Sequence, residues 1–171
     1  LLALPVLAKA LWECVSVPLH ETVLALAKVG SAYPDEVSRE MRRIVYNPWN
    51  GEARLGALEV LGLLGESEAN RSFLVEELER LDPDDEDYDD MFSFLARALV
   101  AAAREEGVRL AGAALERHRS TLDPGTVEFM EGYLREAASR GRGRLPANAL
   151  EEDLHDLLDV FPPPEVAERR M

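Results

Sequence analysis

Apolar residues recur along the chain at intervals of three and four, the period of an α-helix that turns one face to a core. The plainest run is Met91, Phe94, Leu95, Ala98, Leu99 and Ala102, which falls at i, i+3, i+4, i+7, i+8 and i+11. Val37, Met41, Ile44 and Val45 follow the same rule, as do Phe73, Leu74, Leu78 and Leu81, and Leu110, Ala111, Ala114, Leu115 and His118. Each segment predicts a helix with a single apolar stripe that has to be buried on a neighbour. Strand signals are nearly missing: Ile44 is the one isoleucine, no β-branched residues alternate, and Ala, Leu, Glu and Arg dominate. The expected fold class is all-α.

Helix-breaking residues divide these segments at Pro18, Tyr33-Pro34-Asp35, Asn47 to Gly51, Gly65-Glu66-Ser67, Asp82 to Asp90, Gly107, Leu122 to Gly125 and Gly141 to Pro146. Helical hairpins are expected over residues 20–46, 51–81 and 88–121, with flanking helices near 2–15, 124–139 and 148–160. The apolar opening from Leu1 to Val15 is interrupted by Lys9 and Glu13 and falls short of the ~20 residues a membrane span needs. It reads as a buried or capping helix. Position 1 is not methionine, which suits a domain cut from a longer chain.

Placing Ala25 to Gly30 over Ala57 to Gly62 matches Ala, Leu and Gly at corresponding positions, and Ala98 to Ala103 is a looser third copy. The extra length before that copy is Asp82 to Asp90, an enlarged loop between hairpins. Small residues such as Gly30, Gly56, Gly62 and Ala98 would let successive helices approach closely. The stretch from Glu52 to Ala69, followed by Phe73, Leu74 and Leu78, resembles a HEAT repeat of the bacterial type related to phycobilisome-lyase repeats. In it Arg54 opens the helix, Ala57 and Leu61-Gly62 form the core pattern, and Gly65-Glu66 turns into the second helix. The resemblance is strongest over about 30 residues from 52, weaker over 20–46 and loose over 88–120.

That resemblance implies a short right-handed α-α superhelix, an α-solenoid of stacked HEAT-like hairpins with one concave face. It divides the chain into a repeat domain (1–139), a basic Gly/Arg linker (140–147), an amphipathic helix (148–161) packed on the body or on a partner, and a tail (162–171). The function it implies is a non-catalytic scaffold that offers a groove to a protein or peptide. The lyase-type relatives imply an alternative, an enzyme or enzyme accessory holding a small molecule or chromophore between helices.

Charge narrows the partners. The chain has 171 residues, with 33 acidic and 19 basic side chains and a formal net charge of −14. Nucleic acid and anionic membranes are disfavoured, because their phosphates call for a field of Lys and Arg. A basic protein is the electrostatically favoured partner. Glutamine is absent and arginine outnumbers lysine, as where thermolabile side chains are avoided. Cys14 is the sole cysteine, so no intrachain disulfide forms and a cytoplasmic setting is the default.

Two groups of charges are candidate partner-binding residues. Asp84, Asp85, Asp87 and Asp89 belong to the acidic run 82–90, which reads either as a patch for a basic partner or as a solvated loop supplying carboxylates to the start of the next helix. As a calcium loop it fails: from Asp85 the turn-glycine and twelfth positions hold Asp90 and Ala96, and from Asp82 they hold Asp87 and Ser93. Arg39, Arg42 and Arg43 stand at i, i+3 and i+4, opposite the apolar stripe, where they could take a carboxylate-rich peptide or a phosphate, or pair with Glu36 and Glu40.

Trp49, in the turn 47–51, is either an aromatic anchor for a partner or a cap over the groove between hairpins. Arg140 to Arg144 is a basic glycine-interrupted run that reads as a linker or a polyanion contact. Residues 148–161 place Leu150, Leu154, Leu157, Leu158 and Phe161 along one side, among five carboxylates. That helix could dock on the chain itself, on another protein, or on a second copy to make a homodimer. His20, His118 and His155 lack the spacing of a metal site, and Cys14 among Leu11, Trp12 and Val15 reads as a small buried hydrophobe. No phosphate-binding loop or nucleophile elbow is present in the sequence, so neither catalysis nor a cofactor is expected.

Overall fold

The computed structural model describes residues 3–13, 19–46, 50–65 and 67–139. Among them are seven helices and no strand: α1 (Leu4–Glu13), α2 (Leu19–Ala32), α3 (Pro34–Val45), α4 (Gly51–Leu63), α5 (Glu68–Arg80), α6 (Tyr88–His118) and α7 (Pro124–Ser139). The starts are set by local chemistry. Pro34 opens α3, where its missing N–H costs nothing and its ring pre-sets the helical φ. Asn50 caps α4 by accepting from the Ala53 N–H at 3.0 Å, and Ser67 caps α5 by accepting from that of Asn70 at 3.4 Å.

Helices close in sequence pack on one another, except that α4 and α5 touch each other little and both rest on α6. α1 lies on α2, α2 on α3, both α2 and α3 on α4, α4 and α5 on α6, and α6 on α7. Polar ties cross between the helices as well. Asn70 Nδ2 on α5 donates to Ser38 Oγ on α3 at 3.1 Å, with both residues buried. Asn50 Nδ2 donates to the Trp12 carbonyl at 2.5 Å, fastening the start of α4 to α1.

The single-stripe expectation holds for α3, which buries Val37, Met41, Ile44 and Val45 on one side. It fails for α4 and the first half of α6. In α4, Ala53, Gly56, Ala57, Leu58, Val60, Leu61 and Gly62 are all buried, because α1, α2, α3 and α6 surround it. In α6, Phe92, Ala96 and Val100 are buried beside the expected stripe, since α4 packs on one flank and α5 on another. Helices with neighbours on several sides need small residues where backbones meet. A Cβ on Gly62 would lie 3.2 Å from the Ala98 Cα, so these two residues set the spacing of α4 and α6.

The third hairpin has its turn in a different place from the break expected at Gly107. The chain reverses at Arg104 (φ 49°, ψ −121°), inside the span Tyr88–His118, and the two limbs run over 88–103 and 105–118. A positive φ at a residue with a Cβ is strained. Gly107 supplies closeness instead of the turn: a Cβ there would stand 2.3 Å from the Leu99 carbonyl oxygen and 2.8 Å from the Val100 Cα. The second limb can fold back onto the first only because that atom is missing. No helix among the described residues is long and apolar enough to cross a membrane.

Candidate interaction surface

The two groups of candidate charges lie in different surroundings. On α3, Arg39, Arg42 and Tyr46 occur at i, i+3 and i+7, which sets them in one row on the side away from the core. Arg43, with a 78% exposed side chain, pairs with Glu40 at 3.0 Å one turn back. Arg42 lies over the Phe73 ring of α5, its guanidinium carbon 5.9 Å from the centroid, and its Nε is buried with no hydrogen-bond partner among the described residues. Neither Arg39 nor Arg42 forms an ion pair among the described residues.

Tyr46 completes the row. Its ring meets Phe73 edge-on, with centroids 5.4 Å apart, and the residue is 56% exposed. Arg80 at the end of α5 hydrogen-bonds to Tyr46, which raises the arginine's affinity for its proton, and pairs with Glu77 at 3.2 Å and Glu76 at 3.5 Å. Burial pushes the Glu77 carboxyl above the usual range, against the pull of Arg80. Below the row, Arg54 of α4 donates through Nε to the Val45 carbonyl at 3.2 Å and so caps the end of α3. The ends of α3 and α5 therefore carry a joint patch of guanidinium and aromatic groups.

The acidic stretch is arranged quite differently. Asp82 Oδ1 accepts from the Asp84 N–H at 3.0 Å, and the Asp82 carbonyl accepts from Asp85 N–H at 3.1 Å, closing a turn. Asp89 Oδ1 accepts from the Asp123 N–H at 2.9 Å, at the mouth of α7. Asp87 precedes α6, and its Oδ2 stands 2.9 Å from where a Cβ of Gly51 would be, so it leans on the start of α4. Asp89 thus lies at the starts of α6 and α7, and Asp87 beside the start of α4, where a helix N-terminus favours negative charge. Asp84 and Asp85 remain exposed at the loop's outer edge.

His118 is a hydrogen-bonded rim residue, as its position on the apolar stripe suggests. Its Nδ1 lies 2.7 Å from the Tyr88 hydroxyl, which is also 2.7 Å from Thr121 Oγ1, and Thr121 Oγ1 donates to the His118 carbonyl at 2.8 Å. Burial first, and then the neighbouring Arg117, hold its pKa below the ordinary value, with a backbone hydrogen bond to Leu78 acting the other way. Tyr88 is the single aromatic residue within the acidic run, and that is the trace of this cluster in the sequence. Among the described residues no group of three or more His, Cys, Asp or Glu side chains could hold a metal ion. Trp49, Cys14, His155, the linker 140–147, the amphipathic segment 148–161 and the tail 162–171 lie outside the described residues.

The sequence singled out the three arginines but missed Tyr46, Phe73 and Arg80. Tyr46 stands four residues beyond Arg42, so helical spacing alone could have added it. Phe73 and Arg80 come from another helix, and no local pattern connects them to the row. No family model, curated protein or solved structure matches the chain.

Proposed function

We propose that the chain is a non-catalytic interaction scaffold, a short α-solenoid of HEAT-like hairpins whose α3 and α5 surface receives a protein or peptide partner. The observation that carries this reading is the row Arg39, Arg42 and Tyr46. In a chain of net charge −14, two arginines without carboxylate partners among the described residues stand beside a tyrosine more than half exposed. Arginine and tyrosine on a firm aromatic base are the side chains that most often dominate binding energy at protein interfaces. Phe73, buried beneath both, holds them in place before any partner arrives, which lowers the ordering cost of association.

The partner this row suits presents carboxylates around an apolar or aromatic anchor. A basic partner at the acidic loop has less support, since Asp82, Asp87 and Asp89 already serve helix starts and a turn. The packing of α2 and α3 on α4, and of α4 and α5 on α6, supports the solenoid reading. The test is capture with full-length bait in three forms: wild type, Arg39→Glu with Arg42→Glu and Tyr46→Ala, and Asp84→Asn with Asp85→Asn. Wild type and the loop variant should retain the same partner at low salt and release it near ~0.5 M salt, while the row variant retains none. Loss of the partner in the loop variant alone overturns the assignment.

A further inference from the structure

We propose that the open groove between α1 and α3 is a docking site for an acidic peptide segment of a partner, whose apolar side chains lie on the groove floor and whose carboxylates meet Lys9 and Arg43. The groove has a volume of about 540 Å³, within the range of binding clefts. On α1 it is lined by Pro5, Ala8, Lys9 and Trp12, at i, i+3, i+4 and i+7, so it follows about 10 Å of that helix. On α3 it is lined by Glu40, Arg43 and Ile44. Ala8 and Ile44 are buried at the bottom, while Trp12 packs on the core and remains half-buried. A tryptophan fixed on one side and open on the other is among the residues that dominate binding energy at interfaces.

The charges are placed for an acidic ligand. Lys9 pairs with Glu13 at 3.5 Å and Arg43 with Glu40 at 3.0 Å, each along its own helix. In both pairs the cation stands further into solvent than the carboxylate: the side chains are 70% against 52% exposed in the first and 78% against 28% in the second. A segment entering the groove therefore meets a cation from each helix before it meets either carboxylate. Exposed pairs of this kind contribute little and are readily exchanged for a partner's carboxylate. The groove and the arginine row flank α3 on different sides, since Arg42 stands two residues from both Glu40 and Ile44, roughly 160° round the helix. The groove stands on its own lining, and it holds or fails whether or not the row binds a partner.

The test pans a phage-displayed library of random peptides over the full chain. The enriched peptide, made synthetically, is titrated into a Trp49→Phe form in which Trp12 is the one remaining tryptophan. Enriched peptides should combine Asp and Glu with Leu, Phe or Trp. Their binding should move the Trp12 emission to the blue as water leaves the ring, and Lys9→Glu with Arg43→Glu should weaken it by about tenfold or more. Serine in place of the peptide's apolar residues should abolish both binding and shift, an arm that depends on no variant of the protein folding. Binding that leaves Trp12 emission unchanged and is lost with Arg39→Glu plus Arg42→Glu assigns the peptide to the row and overturns the groove. Enrichment of basic peptides, or of none, overturns it as well.

Discussion

The acidic stretch 82–90 and the arginine row of α3 offer opposite answers to the same question of where a charged side chain is available to a partner. The stretch has the greatest density of charge in the sequence, yet Asp82, Asp87 and Asp89 are directed at a turn and at the starts of α4 and α7. Helix α3 has three arginines, Arg39, Arg42 and Arg43, over five positions, and the two that belong to the row have no carboxylate opposite among the described residues. Density of charge thus accompanies helix ends and turns, whereas charge that local pairing leaves over is what the proposed contact surface rests on.

Phe73→Ala should break this contrast most severely, because it removes the base of the row. It should cost about 3–5 kcal/mol in urea unfolding, the usual range for emptying a buried aromatic site. Asp89→Ala comes next: losing the bond to the Asp123 N–H and a charge at the first turn of α6 should cost about 1 kcal/mol. Should Asp84→Asn cost as much, the division between engaged and outlying carboxylates fails.

A pH titration sharpens the picture at the same end of the molecule. The folded pKa of His118 is lowered from the ordinary 6.5, so the unfolded chain takes up its proton first as pH falls. Stability contributed by neutral His118 is therefore intact above about pH 6.5 and declines as pH drops toward the folded value. His118→Gln should flatten that part of the curve of unfolding free energy against pH. The smallest effects are expected from Arg39→Ala and Asp84→Asn, each within about 0.5 kcal/mol of wild type. Only the first should weaken partner capture.

Much of the fold was readable beforehand because turn chemistry is local. Pro34, Asn50-Gly51, Ser67 and Pro124 mark helix starts in sequence and begin helices in the structure. The reversal at Arg104 was not readable, since nothing in Ala103-Arg104-Glu105 signals a positive φ. The nearest glycine misdirected the reading: Gly107 answers to the backbone of Leu99 across the hairpin, a contact between residues distant along the helix axis. The same reason explains α4 and α6. Periodicity reports one preferred face, but how many neighbours a helix acquires depends on later segments. The joining of Arg42 and Tyr46 to Phe73 and Arg80 is likewise a product of α3 meeting α5.

The one-residue reversal at Arg104 also limits how this chain can change its length. Adding or deleting a single residue beside it would rotate all that follows by about 100° about the limb axis and swing Gly107 away from Leu99. Insertions should therefore gather in 81–87, where the connection is long and exposed, and a further hairpin spliced into the molecule belongs there. For a protease, the same geometry leaves the two limbs of α6 joined by a bend too tight to enter an active-site cleft.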